Sequence, residues 1–364
     1  MKSHLKAVSM WFALLMIWVI FSKLTNGAFL QPRNLSNLFR QMSVTGILAS
    51  GMVFILVLRQ VDLSVGSMVG FLGTVLAVFH TVKGWGAGSS LALTVLIGVL
   101  LGSAQGFLAS YQRIPAFIVT LGGMLIFRGA AMWMTDNVTI SLPDNWLLAF
   151  GNNYLSKMQG WLVGGIAVLI IGFLSARAGS ERRPLRDIAM IFGVGGFLWV
   201  FQSYEGIPLP VFVMILLMAI LTVVADGTVL GRQWYAMGGN PQAAYLSGVP
   251  SKRNMLLSFS LIGFLAAISA LVLTARVGSA SPDAGQLLEL DAIAACVIGG
   301  TSLRGGKGTV FGALLGALVM ESLNNGMSLA NIEPFWQYII KGSVLVAAVW
   351  IDMLSQGNER ETHA

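Results

Sequence analysis

The sequence predicts an all-α, polytopic transmembrane helical bundle, and three observations carry that reading. Hydrophobic residues make up 56% of the 364 residues and charged ones only 10%, where a soluble domain carries about 25% charged residues. Such a chain has too little polar surface to cover a globule of its size. The apolar residues are gathered into blocks such as 8–21, 91–101 and 261–273, and about 18–20 apolar residues cross a hydrocarbon core. Glycine is abundant, at 43 residues. In lipid, small residues let helices approach closely and let them break where protein or a water-filled cavity takes up the freed backbone groups.

Hydropathy divides the chain into about twelve segments: 8–22, 42–58, 64–82, 89–110, 115–134, 160–176, 187–201, 210–226, 255–275, 288–303, 309–327 and 336–354. Several are short, so tilted, re-entrant or half-spanning pieces are expected, leaving about ten to twelve crossings. The first block has a basic start (Lys2, Lys6) but no small-residue cleavage site after Lys23, so it is kept as a span. With the N-terminus in the cytoplasm, fourteen Lys and Arg fall inside, among them Arg59, Arg113, Arg182, Arg183, Lys252 and Arg304. Six fall outside, including Arg33, Arg40 and Arg276, while Arg128 and Lys341 sit within spans. This is the positive-inside bias, and it places both termini in the cytoplasm. The net charge of +7 then reflects membrane topology rather than a nucleic-acid partner. The whole chain, 1–364, reads as one membrane domain. The lone Cys296, in an apolar segment, reads as a packed thiol.

Two loops are long. The outside one, 136–160, holds the turn formers Pro143-Asp144-Asn145 and Gly151-Asn152-Asn153. The inside one, 227–254, contains Gly238-Gly239-Asn240-Pro241-Gln242-Ala243-Ala244-Tyr245-Leu246-Ser247-Gly248. Asn240 suits an N-cap, Pro241 the first helical position and Gly248 the stop. The result is a helix of about seven residues, too short to be stable alone in water. It is either a docking element for a partner or a simple capped turn.

At this loop the chain resembles the permeases of bacterial ATP-binding-cassette carbohydrate importers, in the ribose, galactose and xylose branch. The loop looks like their coupling helix. Two further stretches match in order: Val61-Asp62-Leu63-Ser64-Val65-Gly66-Ser67, and Glu289-Leu290-Asp291-Ala292-Ile293-Ala294-Ala295 running on to Gly305-Gly306. The likeness covers about 21–352 and is strongest to D-xylose permeases, which share an additional membrane hairpin over 154–204 and the segment Phe335-Trp336-Gln337-Tyr338. The resemblance implies a fold like that of the vitamin B12 importer permease, pairing as a homodimer in the bacterial inner membrane, amid its lipid. It implies transport of a monosaccharide, D-xylose before ribose or galactose, with an ATPase subunit inside and a periplasmic sugar-binding protein outside. Gly239, Asn240, Ala243, Ala244, Ser247 and Gly248 are the implied ATPase-coupling residues. An ion-coupled secondary transporter is the rival class.

Gly306-Lys307-Gly308-Thr309 invites a nucleotide reading, but Thr301 stands where a phosphate loop needs its first glycine and Gly308 where it needs Ser or Thr. No cofactor is therefore expected on this chain, and ATP is left to the partner subunit. Ionisable and polar residues within spans are costly and so mark candidate sites. Asp62 with Ser64, and Glu289 with Asp291, cap the segments they open or contact sugar. Asn324 and Asn325 line the pathway or join helices. Arg128, Glu321 and Lys341 pair with one another or face the pathway. His4, His80 and His363 are widely separated, and no metal or nucleophile–base set is visible. The sequence is that of a permease, not an enzyme.

Overall fold

The computed structural model describes residues 2–177 and 184–361, so the basic turn at Arg182-Arg183 and His363 lie outside the described residues. The first five helices are α1 (Lys2–Leu24), α2 (Pro32–Val57), α3 (Val65–Ala77, prolonged by a π-helical turn Val78–Val82), α4 (Ala87–Ser110) and α5 (Ala116–Thr135). Then come strand β1 (Ile140–Ser141), α6 (Trp146–Asn152), the antiparallel hairpin α7 (Lys157–Arg177) and α8 (Pro184–Gln202), and α9 (Leu209–Gly227). The long loop at 227–254 holds α10 (Val229–Gly239) and α11 (Pro241–Leu246). The chain ends in α12 (Ser251–Val277), β2 (Ser279–Ala280), α13 (Leu288–Ile298), α14 (Val310–Leu329) and α15 (Pro334–Glu361). The chain is a polytopic helical membrane protein. Each of the twelve apolar segments lies on a helix, and α2, α3 with its π turn, α4, α5, α9 and α12 are each long and apolar enough to span.

Two expected segments change on inspection. The span placed at 288–303 is an eleven-residue helix ending at Ile298, about 16 Å long and half of a ~30 Å hydrocarbon core. Leu287, at φ 64°, and Gly300, at φ 90°, turn the chain at its two ends, so this segment does not cross. The second span begins at Pro32 rather than 42, because Arg33, Asn34 and Arg40 lower the hydropathy without breaking the helix.

Hydrogen bonds define two opposite sides of the bundle. On one side α2 ends beside α10, through Arg59 and Gly238, and α12 starts beside Trp234. On the other, Arg40 near the start of α2 holds the carbonyl of Gly151, and β1 pairs with β2 after the end of α12. The two helices therefore run in opposite directions. Each is followed by an irregular stretch, then a helix that starts inside the bundle (α3 or α13), then a long helix (α4 or α14) and a peripheral one (α5 or α15). The contacts match under this exchange: α2 packs on α13 and α14 as α12 packs on α3 and α4, and α3 on α4 and α5 as α13 on α14 and α15. The described residues thus hold an inverted repeat, in which substrate sites of transporters commonly lie where the two repeats meet.

Helix α2 is the axis, buried from Met42 to Leu58. Packing around it depends on small residues. Gly98, Gly102 and Gly106 form a stripe on α4 against the backbone of α12 at Leu256, Phe259 and Gly263, where an added methyl would strike carbonyl oxygens. Such stripes replace the hydrophobic effect, which has no purchase between helices in lipid. Helix α1 closes on α14, with Trp18 donating to Ser322 Oγ at 3.0 Å. The buried thiol of Cys296 donates to the Ala49 carbonyl at 3.2 Å, as expected of a packed cysteine.

Candidate functional site

Two constellations stand out, one on the α11 side and one inside the bundle. The first is built on local chain chemistry. Asn240 Oδ1 accepts from the Ala243 N–H at 3.0 Å, Pro241 opens α11, and Gly248 at φ 79° ends it. Six residues form the helix, with Ala244 buried and Gly239, Asn240, Ala243, Ser247 and Gly248 exposed. The sequence reading missed its apolar tip: Tyr245 is 71% exposed and Leu246 78%. These two large apolar side chains stand exposed together on a polar loop, and their position on a capped six-residue helix was the available signal.

This helix is tied down rather than loose. Arg59, itself at φ 63°, donates from Nε to the Gly238 carbonyl at 2.7 Å and from Nη2 to the Gly239 carbonyl at 2.8 Å. A guanidinium fork at the C-terminus of α10 satisfies carbonyls that have no intrahelical partner and meets the negative end of the helix dipole. Gly306 N–H donates to the Val57 carbonyl at 2.9 Å. Tyr235 donates from its hydroxyl to the Gly308 carbonyl at 2.8 Å, its phenol pushed up to about 12 by burial, with Asp226 adding to the rise. Trp234 packs at a tilt against Phe54 and donates to the Asn254 carbonyl. The α10–α11 unit is thus bonded to the ends of α2 and α12 and to the glycine turn after α13.

The second constellation lies where α3 and α13 begin. Residues 60–64 leave Arg59 in irregular conformation and enter the bundle. Asp62 Oδ1 accepts from the Ser64 N–H at 2.8 Å and its hydroxyl at 2.7 Å, and Gln105 Nε2 donates to Ser64 Oγ at 2.8 Å. Asp62 and Ser64 are fully buried. Asp62 thus closes a turn on Ser64, the N-cap residue ahead of Val65, and the N-cap side chain makes no capping bond to α3. On α13 the expected caps are different again. Leu287 occupies the N-cap with no side-chain bond, and Glu289 and Asp291 lie in the first turn.

Glu289 packs its Oε2 against Gly66, where any side chain would collide with it and with the Gly285 carbonyl. Asp291 turns the other way, and its Oδ2 meets Lys341 Nζ of α15 at 3.1 Å. Asn324 Nδ2 lies 3.4 Å from both Asp291 Oδ2 and Glu321 Oε2. Lys341 thus pairs with Asp291 and not with Glu321, whose Oε1 instead accepts from Thr45 at 2.6 Å. Asn325 is a joint between helices, accepting from Asn34 Nδ2 at 2.9 Å. Asp62 Oδ2, Glu289 Oε2 and Asn324 Oδ1 are buried without hydrogen-bond partners. Among the described residues no three His, Cys, Asp or Glu side chains gather as a metal site.

The structure therefore groups Asp62, Ser64, Glu289, Asp291 and Asn324 in the interior, moves Asn325 to a helix joint, and sets the α11 residues apart on one face. Residues 34–349 match the family described as branched-chain amino acid transport system / permease component. The xylose transport system permease protein of Escherichia coli (strain K12) is 42% identical over 93% of this chain and 90% of its own length. The same-named protein of Haemophilus influenzae is 42% identical over 96% of each. The ribose import permease protein of Bacillus subtilis is 36% identical over 93% of this chain and 90% of its own. No solved structure matches the chain.

Proposed function

The chain belongs to the branched-chain amino acid transport system / permease component family, and from that premise we propose that it is the membrane subunit of an ATP-driven importer that carries D-xylose into the cytoplasm. The observation that carries this reading is the 42% identity to xylose permeases along 93% of the chain, against 36% for a ribose permease. Ribose is the second reading, and it rests on that lower figure. The protein sits multi-pass in the bacterial inner membrane among lipids, with both termini cytoplasmic on the charge bias.

ATP is hydrolysed on a separate subunit, which grips α11 through Tyr245, Leu246 and the exposed edge from Gly239 to Gly248. Two copies of the chain enclose the pathway, in an arrangement of the vitamin B12 importer type. The hairpin at 154–204 is an addition to that plan, and a sugar-loaded periplasmic protein docks on the face of β1 and α6. When the ATPase closes, α11 moves, and the Arg59 fork and the Gly306–Val57 bond carry the movement into α2, α3 and the turn after α13. This is rigid-body rocking, suited to helices that touch backbone to backbone.

The test is uptake of labelled xylose by cells supplied with the whole transporter. Tyr245→Asp with Leu246→Asp is expected to cut ATP-driven uptake at least about tenfold, a loss of about 1.4 kcal/mol of coupling, while membrane insertion is unchanged. Undiminished ATP-driven uptake by that variant overturns the coupling assignment, and uptake of ribose in preference to xylose overturns the sugar.

A further inference from the structure

Between α13, α14 and α15 lies a cleft of about 380 Å³ whose wall includes Leu287, Leu290, Asp291, Tyr338 and Lys341. Its depth follows from α13, which is eleven residues long and ends on the α11 side. Asp291, in the first turn, sits roughly 10 Å from that end at 1.5 Å per residue. At this depth Lys341 is still 23% exposed, while its partner Asp291 is 7% exposed. An ammonium facing hydrocarbon near the bilayer centre costs about 2.5–3.5 kcal/mol on the insertion scale. A cleft open to water avoids that cost.

The polar groups around it are incompletely used. The hydrogen bond of the Lys341 ammonium within the described residues goes to Asp291, although an ammonium has three N–H donors. On the Asp291 carboxylate, Oδ2 takes the bonds from Lys341 and Asn324, which leaves Oδ1 as an acceptor on the cleft wall. A spare donor and a spare acceptor a few ångströms apart fit a hydroxyl, which gives one hydrogen bond and takes another. On the rim, the Tyr338 ring is 55% exposed and offers an apolar face. A neutral cyclic polyol, with ring C–H groups on one face and hydroxyls on its edge, satisfies these features, and a free anion or cation does not, since the pair is already neutral.

We propose that this cleft is a sugar subsite, in which a monosaccharide passing through the permease lays its C–H face on Tyr338 and its hydroxyls on Lys341 and Asp291. The site rests on the importer reading above and adds to it the place where the sugar touches this chain. Its hold is brief, because one partly exposed ion pair and one ring contribute little net affinity against the cost of binding.

The experiment uses the assembled transporter in proteoliposomes. Leu290→Cys and Leu345→Cys each place a thiol in the cleft and spare Tyr338, and the native Cys296 is fully buried. A charged, membrane-impermeant methanethiosulfonate is expected to label both thiols during turnover. Xylose at about twice its dissociation constant slows that labelling about threefold by mass action, and sorbitol at the same concentration does not. Thiols that stay unlabelled show a cleft closed to water and overturn the proposal. Labelling that xylose leaves unchanged shows a wet cleft without a sugar and overturns it too. Xylose uptake by the unsubstituted transporter is read in parallel. Its absence sinks the importer reading, whereas normal uptake with an unprotected cleft sinks the subsite alone.

Discussion

Asp62 and Asp291 occupy related places in the two inverted repeats, each beside the start of a helix that begins inside the bundle, and their surroundings differ. Asp62 spends one oxygen on the Ser64 backbone and hydroxyl, and its other oxygen is enclosed with no partner. Gln105 and Thr120 close over the same turn, from α4 and α5. Asp291 instead points away from its own backbone and pairs with Lys341 on α15, at the edge of an open cleft. The irregular turn before α3 is thus a sealed joint, whereas the first turn of α13 borders a cleft. A carboxylate at a helix start is costly to bury and favourable to the dipole, so both uses are physically available, and the neighbouring helix decides between them.

The largest expected effect comes from the point where the two repeats touch. A side chain at Gly66 meets Glu289 Oε2 and the Gly285 carbonyl, and the latter is backbone that has no rotamer to give. Gly66→Val is expected to destabilise the fold by about 3 kcal/mol, the upper end for overpacking. The yield of monodisperse protein in detergent and its melting temperature check this. If Gly66→Val melts like the parent, the two breaks are not locked together, and the sealed joint is not a joint.

Much of this arrangement was legible from residues, and the reasons for the remainder are physical. Apolar blocks located every helix of the bundle, because hydropathy is a property of contiguous sequence. Asn240, Pro241 and Gly248 announced α11 for the same reason, since capping is settled within a few residues. The pairing of Lys341 with Asp291 spans fifty positions, and nothing local chooses Asp291 over Glu321 as the partner. Arg59 looked like one more inside cation. Its role as a fork on the α10 carbonyls depends on a left-handed backbone that its own side chain does not request. The inverted repeat was invisible because the two halves share direction and contact, not residues: the glycine stripe on α4 packs on α12, whereas Gly312 and Gly316 of α14 pack on the end of α13. The short α13 was hidden by an apolar run that continues through its terminal glycines.

The sealed site is tested next. Asp62→Ala removes the acceptor for two hydrogen bonds inside the bundle and leaves the Ser64 N–H without a partner, a cost of about 2 kcal/mol. Asp62→Asn keeps the Oδ1 acceptor and replaces the orphaned oxygen with an amide, so it is expected to stay within about 1 kcal/mol of the parent. Both variants are followed by thermal unfolding and by xylose uptake. For a sealed structural turn, uptake follows stability: it falls in the alanine variant and survives in the asparagine one. Uptake lost in Asp62→Asn without loss of stability gives Asp62 a place in the pathway and erases its contrast with Asp291.

Asp291→Asn is expected to have the smallest effect on the fold and a clear one on transport. The pair it breaks joins a buried carboxylate to an ammonium that is 23% exposed, and water reaching the freed ammonium holds the loss of stability to about 1 kcal/mol. The asparagine still accepts from Asn324, and the freed Lys341 ammonium faces water. Transport responds differently, because the cleft now carries an uncompensated positive charge and has lost a carboxylate acceptor for hydroxyls. Xylose uptake is expected to drop about tenfold, or about 1.4 kcal/mol, with the melting temperature nearly unmoved. The exchanged pair, Asp291→Lys with Lys341→Asp, restores the neutral cleft without restoring the original geometry. Recovery of uptake in the exchanged pair assigns the effect to charge in the pathway. Failure to recover, together with a lowered melting temperature in the single variant, makes Asp291 a structural residue like Asp62, and the difference between the two repeats disappears.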